Sequence, residues 1–545
     1  MIQSNMNKNN YKEVNFDAVV VGAGFGGLYS VHKLRNELGL NVRAYDNGSD
    51  VGGTWYWNRY PGALSDTESF LYRLSFDKEL LEEGDWKHNY LTQPEILDYL
   101  NKVADWFDLR RSYQFNTKVT STYFNEENNY WEVTTDKGET VTAKFLITGL
   151  GLLSATNVPN FKGLETFKGE QYHTARWPQD VDLKGKRVGI IGTGSTGVQV
   201  IIDIAPKVEH LTVFQRTPQY SVPIGLKVQS EAEKAEIKAN YEEIWKQAKS
   251  SAVAFGFEES TVPAVSVSKE EQERVFEEAW NIGGGFRFMF GTFSDIATNP
   301  EANEAAAEFI RKKIRQIVKD PETARKLTPT GLYAKRPLCD NGYYDTYNRD
   351  NVSLVSVKET PIVEITPKGV RTTDSEYELD VLIFATGFDA VDGNYTKIDM
   401  RGRDGITMKE KWADGPTGYL GMMNTHFPNH FMILGPNGPF TNLPPSIETQ
   451  VEWISDTVKY MNENNISTIE PKQEAEDEWI TTCQTISDQT LFSKGESWIF
   501  GANIPGKKNT VMFYLGGLGN YRKALEELGF KGFIFDRVAS VANVK

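Results

Sequence analysis

Cysteine is nearly missing from this chain: Cys339 and Cys483 are the only two among 545 residues. There is no CxxC pair, which argues against a redox dithiol of that type and against a cysteine-rich zinc site. Thiols this sparse fit a reducing, cytoplasmic setting. Histidine is scarce as well, with six residues and neither HxH nor HExxH, so no metal site is expected. Long apolar runs are absent too. No window approaches the ~18 residues of a membrane span. The first twelve residues, MIQSNMNKNNYK, lack the apolar stretch of a signal peptide. Nor is there a basic run. The formal net charge is −15, whereas a nucleic-acid surface needs clustered Lys and Arg. The expected state is a soluble monomer with no membrane or nucleic-acid partner.

What is present is glycine in two patterned stretches. Hydrophobic residues make up 39% and charged residues 24% of the chain, ordinary for a globular protein, and its length allows two to four domains of about 100–200 residues. FDAVVV, residues 16–21, reads as a buried parallel strand. It runs into Gly22-Ala-Gly24-Phe25-Gly-Gly27, then a helix over Leu28–Leu38, then a strand over Val42–Tyr45 ending in Asp46. Strand, GxGxxG, helix, strand and acid together read as a dinucleotide-binding unit, the plainer alternative being a glycine turn of purely structural use. Gly22 permits the tight turn, Gly24 lets the backbone approach a pyrophosphate, Gly27 lets helix pack on strand, and Asp46 reaches a ribose hydroxyl. A second unit begins at KRVGII, residues 186–191, and continues through Gly192-Thr193-Gly194-Ser195-Thr196-Gly197 to a strand ending in Gln215-Arg216-Thr217. No acid stands at that end. An Arg there suits a 2′-phosphate, so the second site should prefer NADP(H); the plainer alternative is a solvated surface charge. Two such loops a domain apart suggest two cofactors facing each other. The fold class is α/β, with two Rossmann-like dinucleotide-binding domains and a helical insertion.

Between and after the loops lie several further stretches. Gly52 to Asp66 is dense in glycine and aromatics, either a stacking surface for a flat ligand or a loop plugging the first domain. Ser65-Asp66-Thr67-Glu68 also resembles a helix N-cap. A helix is expected from Gln93 to about Phe107, and an antiparallel meander over 119–146. The strands KFLITG, ending at Gly149, and VLIFATG, ending at Gly387, should lead the chain between domains. His173 is open to three readings: a general base, a ligand, or a residue fixing a domain crossover. Residues 225–332 form the helical insertion, with a capping box at Ser268/Glu271 and Asn299-Pro300 starting a further helix. Its charge runs read as solvated faces, and no chemistry is assigned to them. Lys335-Arg336 places two cations side by side, one for a phosphate and one for a further role. Residues 439–445 resemble a ligand-facing loop ahead of a helix from Ile447 to about Asn462. Residues 493–515 are a lid anchored by Trp498, or else a loop packed permanently on the core. The division is 1–152 plus 388–545 for the first nucleotide domain and 153–224 plus 333–387 for the second.

These segments together resemble the flavin-dependent Baeyer–Villiger monooxygenases, among them the cyclohexanone monooxygenase type. The fingerprint FxGxxxHxxxW(P/D) is met by Phe167, Gly169, His173, Trp177 and Pro178. A companion pattern, (A/G)GxWxxxx(F/Y)P(G/M)xxxD, is met by Gly52, Gly53, Trp55, Tyr60, Pro61, Gly62 and Asp66. AKRPLCD and SWIFGANIPGKKNT are similar to the cyclohexanone-type enzymes in particular. The resemblance implies FAD held by Gly22, Gly24, Phe25, Gly27, Asp46, Gly53, Thr54, Trp55, Asp66 and Tyr72. It implies NADPH held by Gly192 to Gly197, Arg216, Thr217, Lys335, Arg336 and Trp498. Asp46 is a mild departure, since many flavoproteins carry Glu there. The implied reaction takes a ketone and O2 to an ester or lactone through a C4a-peroxyflavin. Arg336 would be the catalytic cation and Asp66 its partner. His173 would couple domain motion to the cycle, and Phe440 and Leu443 would line the ketone pocket. A related flavin monooxygenase acting on sulfur or nitrogen, and a flavoprotein that turns over nothing, are the rival readings.

Overall fold

The computed structural model describes residues 14–495 and 497–537; the polar segment 1–12 lies outside the described residues. Two sheets organise the chain. In the first, the strand Phe16–Val21 lies between Val42–Tyr45 and Thr140–Thr148 and is parallel to both, Ala18 standing opposite Val42 and Phe145. Alternate residues of that strand serve opposite layers. Ala18 and Val20 enter one core, and Val19 and Val21 enter another. This is why the run is continuously apolar. Val119–Asn125 and Tyr130–Thr135 extend the sheet as the antiparallel meander.

The second sheet has five strands, all parallel, in the order Val352–Ser356, His210–Gln215, Arg187–Ile191, Val381–Phe384 and Glu170–His173. Two chain segments join the sheets and run antiparallel to each other. Val391 N–H donates to the Leu152 carbonyl, Asp389 N–H to Ala155, and Asn157 N–H to Gly387, at 2.8–3.0 Å.

Several expectations change. The first helix starts at Phe25, ahead of Leu28, and turns π-helical from His32 to Glu37. The helix expected from Ile447 begins at Leu443 and ends at Glu463. Pro444 and Pro445 sit in its first turn, where a missing N–H costs nothing, so a loop-like composition opens a helix. Asp66 caps no helix: Leu64–Glu68 is a strand paired with Tyr90–Thr92. Ser268 and Asn299 do cap their helices, Asn299 accepting from Glu301 and Ala302. The helices of 225–332 divide between the cores. Tyr241 and Trp245 join that of the first sheet, while Phe276 and Phe309 join that of the second. No helix among the described residues is long and apolar enough to cross a membrane.

Candidate functional site

The two glycine loops are built alike. Gly22 has φ +113° and Gly192 φ +111°. A Cβ at Gly22 would strike the Gly149 carbonyl, and one at Gly192 the Ala385 carbonyl. So the residue just after each crossing strand, Gly149 or Ala385, presses on the loop, and only glycine fits at Gly22 and Gly192. Gly27 and Gly197 would each overlap the carbonyl of the loop's first glycine. Gly194 differs: its backbone is extended, and nothing lies within 4 Å of where a side chain would stand. The protein's own packing does not demand glycine there, and the open space suits an approaching phosphate. Neither helix start, at Gly24 or Gly194, has a side-chain cap, unlike the helices capped by Asp77, Ser230 and Asp320. Their free N–H groups remain for a ligand. Residues and space together fit two dinucleotides.

Asp46 accepts from Ala23 N–H at 2.7 Å and Gly48 N–H at 2.6 Å, tying the first loop to the strand end. Burial raises its pKa against these bonds. Gly53 backs onto Gly24: a Cβ at Gly53 would stand 2.7 Å from the Gly24 Cα, while one at Gly24 would meet Gly53 at ordinary contact distance. Thr54 opens a short helix that carries Trp55. Trp55 donates to the Tyr72 hydroxyl at 3.1 Å, and Tyr72 meets the Phe25 ring edge-on at 5.5 Å.

The aromatic stretch also meets the second loop. Tyr60 donates to Gln199 at 2.8 Å, Gln199 donates to the Leu64 carbonyl at 2.9 Å, and Gly62 lies directly on the Gln199 backbone. Arg176 stacks over Trp57 at 4.0 Å, so the two fingerprint segments touch. Of the second fingerprint, Phe167 and Trp177 are core residues, and Gly169 leaves room for the Asp380 carbonyl. His173 ends the edge strand. Its Nδ1 accepts from Ala175 N–H at 3.1 Å and its ring meets Phe388 of the crossing segment. Burial lowers its pKa.

Arg336 and Asp66 form an ion pair between the second nucleotide unit and the strand Leu64–Glu68. Burial works against the guanidinium charge, but Asp66 outweighs it and raises the pKa. Arg336, Lys335, Thr217 and Lys358 line one cleft. Thr217 also accepts on its carbonyl from Thr193 at 3.3 Å. Arg216 is exposed beside this cleft. Lys358 lies far from any motif, and no sequence signal singles it out.

Phe440 packs with Trp498 at 6.4 Å and Phe513 at 5.3 Å, and borders a cluster of Phe255, Phe257 and Phe286. Leu443, partly buried, packs on the core of the first sheet. The Phe286 ring lies 5.6 Å from the Arg336 guanidinium carbon. The insertion thus reaches the site through a phenylalanine, which the reading of its charge runs as solvated faces does not foresee. GFEES and GGGFRFMFG, phenylalanines among glycines between charged helices, were the available signal. The loop after Trp498 is fastened to the crossing segment. Lys507 bonds Asp389 at 2.7 Å and also reaches Asp392, and Asn503 donates to the Phe388 carbonyl at 2.8 Å.

Residues 16–223 match the flavin-binding monooxygenase-like family. A Baeyer–Villiger monooxygenase of Pseudooceanicola batsensis is 66% identical over 98% of this chain and 99% of its own. A cyclohexanone 1,2-monooxygenase of Acinetobacter is 61% identical over 94% of each chain. The crystal structure of cyclohexanone monooxygenase from Rhodococcus sp. Phi1 bound to NADP+ superposes with a TM-score of 0.95, at 63% identity, over 96% of this chain and 99% of that one. Paired glycine loops, joined fingerprints and end-to-end similarity converge on one conclusion: the chain belongs to the flavin-dependent Baeyer–Villiger monooxygenases.

Proposed function

We propose that this chain oxidises a ketone, cyclic ketones foremost, to a lactone or ester using NADPH and O2. The observation that carries the reading is Arg336, a permanent cation held by Asp66 at the join of the two nucleotide units and against a phenylalanine cluster. A fixed guanidinium is the group needed where negative charge develops on oxygen. When bound, FAD would accept the hydride of NADPH and activate O2. It would occupy 1–152 and 388–545, with NADPH on 153–224 and 333–387 and the 225–332 insertion walling the ketone space.

Gly22, Gly24, Phe25 and Gly27 would hold the FAD pyrophosphate and Asp46 a ribose hydroxyl. Gly53, Thr54, Trp55 and Tyr72 would line the flavin. Gly192 to Gly197 would hold the second pyrophosphate, and Arg216, Thr217 and Lys335, joined by Lys358, the 2′-phosphate. Trp498 would cover the nicotinamide cofactor and exclude water, and Phe440 with Leu443 would shape the ketone space. His173, beside the crossing segments, would couple domain motion to turnover. We read the chain as a cytoplasmic monomer; its two buried, unpaired thiols fit the reducing compartment of that reading.

The test is NADPH consumption with cyclic, linear and aryl ketones and a sulfide, with products identified. Lactone formed in proportion to NADPH supports the reading. Sulfoxide alone, with no ester from any ketone, overturns it.

A further inference from the structure

The strand Leu64–Glu68 carries two carboxylates on one face. Burial alternates along it, so Asp66 and Glu68 face the site while Ser65 and Thr67 are buried behind. Asp66 binds Arg336; Glu68 binds Arg287 at 2.7 Å. Arg287 follows Phe286 in the chain and lies over the Phe257 ring at 5.2 Å. The Phe286 ring stacks on Phe255 at 4.0 Å and 14°, and borders the Arg336 guanidinium. Behind it the backbone is pinned. Gly284 has φ +98°, and a Cβ at Gly285 would stand 3.0 Å from the Leu338 carbonyl, two residues beyond Arg336. The turn bearing Phe286 is therefore held between the strand that carries Asp66 and the segment that carries Arg336.

We propose that Glu68 and Arg287 are positioning residues whose ion pair sets the Phe286 ring against Arg336, and thereby sets ketone fit and the coupling of NADPH use to oxygenation. The proposal rests on the reading of Arg336 as the catalytic cation. Glu68 and Arg287 themselves need touch neither cofactor nor ketone. Removing one partner leaves the other charge half-buried and unpaired, so the turn must shift. A displacement of about 1 Å beside the reacting groups can cost up to ~10²-fold in rate.

The experiment uses holoenzyme with 4-fluorophenylalanine at position 286, comparing wild type with Glu68→Gln, Arg287→Met and Arg287→Lys. In Glu68→Gln and Arg287→Met the fluorine resonance should shift, cyclohexanone KM should rise about tenfold, and the peroxide share of consumed NADPH should rise several-fold. Anaerobic flavin reduction by NADPH should stay within about twofold. Arg287→Lys, which keeps the charge but loses the fork, should recover part of the coupling. An unmoved resonance, or unchanged KM and peroxide yield, overturns the proposal. If Arg287→Met does not fold, the near-isosteric Glu68→Gln carries the same comparison. If wild type makes no ester from any ketone, the functional reading falls, while the fluorine shift still judges the pair.

Discussion

Arg336→Ala gives the sharpest test of the site. Asp66 bonds one Nη of the guanidinium, so the group is anchored yet keeps a net positive contribution toward the cleft. A unit charge about 4 Å from developing negative charge is worth ~4 kcal/mol at an effective dielectric of about 20, or roughly 10³-fold in rate. Ester formation by the alanine variant should fall by about that factor. Anaerobic reduction of the flavin by NADPH, followed by loss of its visible absorbance in stopped flow, should remain measurable. Arg336→Lys keeps a charge but cannot grip Asp66 and face the reacting oxygen at once, so a loss of about 10–100-fold is expected. Asp66→Asn should fall between wild type and alanine, because the cation stays while its anchor weakens. Ester from Arg336→Ala at the wild-type rate would refute the argument. So would a loss of flavin reduction in equal proportion, which would reduce Arg336 to a cofactor contact.

Gly22→Ala and Gly192→Ala should each cost one cofactor, since a Cβ strikes the Gly149 or Ala385 carbonyl; FAD content by absorbance and NADPH KM separate the two, and normal values for both variants would contradict the assignment. Lys358→Ala and Lys335→Ala should each raise NADPH KM about 10–100-fold, the worth of one charge-assisted contact, with NADH kinetics unchanged; an equal effect on NADH would remove the 2′-phosphate role. Burial lowers the His430 pKa to about 3 from 6.5, so below pH about 6.5 the unfolded chain takes a proton that the folded chain refuses, and stability falls by up to about 1.4 kcal/mol per pH unit until about pH 3. Urea midpoints for His430→Gln, whose amide can still meet Thr148, should fall less than wild type between pH 7.5 and 5.5; equal losses would rule this out.

What the sequence discloses here is whatever is local. Both nucleotide loops are readable because an apolar run, a glycine pattern and a helix start are adjacent in the chain. The contacts that demand glycine, Gly22 on Gly149 and Gly192 on Ala385, come from strands placed beside the loops by parallel pairing. Asp66 shows the limit. Ser-Asp-Thr-Glu satisfies the local grammar of a helix start, yet pairing with Tyr90–Thr92 makes it a strand. That override has a chemical consequence, because only a strand puts Asp66 and Glu68 on one face. Leu443 shows the reverse: prolines that read as loop are compatible with a first helical turn. Phe286 stands in a stretch that the sequence marks by phenylalanines among glycines, but its place beside Arg336 is tertiary, set by the packing of Gly285 on the Leu338 carbonyl.

The crossing segments show how such local and distant features combine. Each follows a strand that the sequence marks by a terminal glycine, but their pairing, Asn157 with Gly387 and Asp389 with Ala155, is a tertiary fact. His173 adjoins that pair through Phe388, and Lys507 binds its acids from the Trp498 loop. The ladder, His173 and the Trp498 loop are thus joined through Phe388, Asp389 and Asp392. In this arrangement the loop after Trp498 is packed, and a lid motion would have to break the pairs of Lys507 with Asp389 and Asp392.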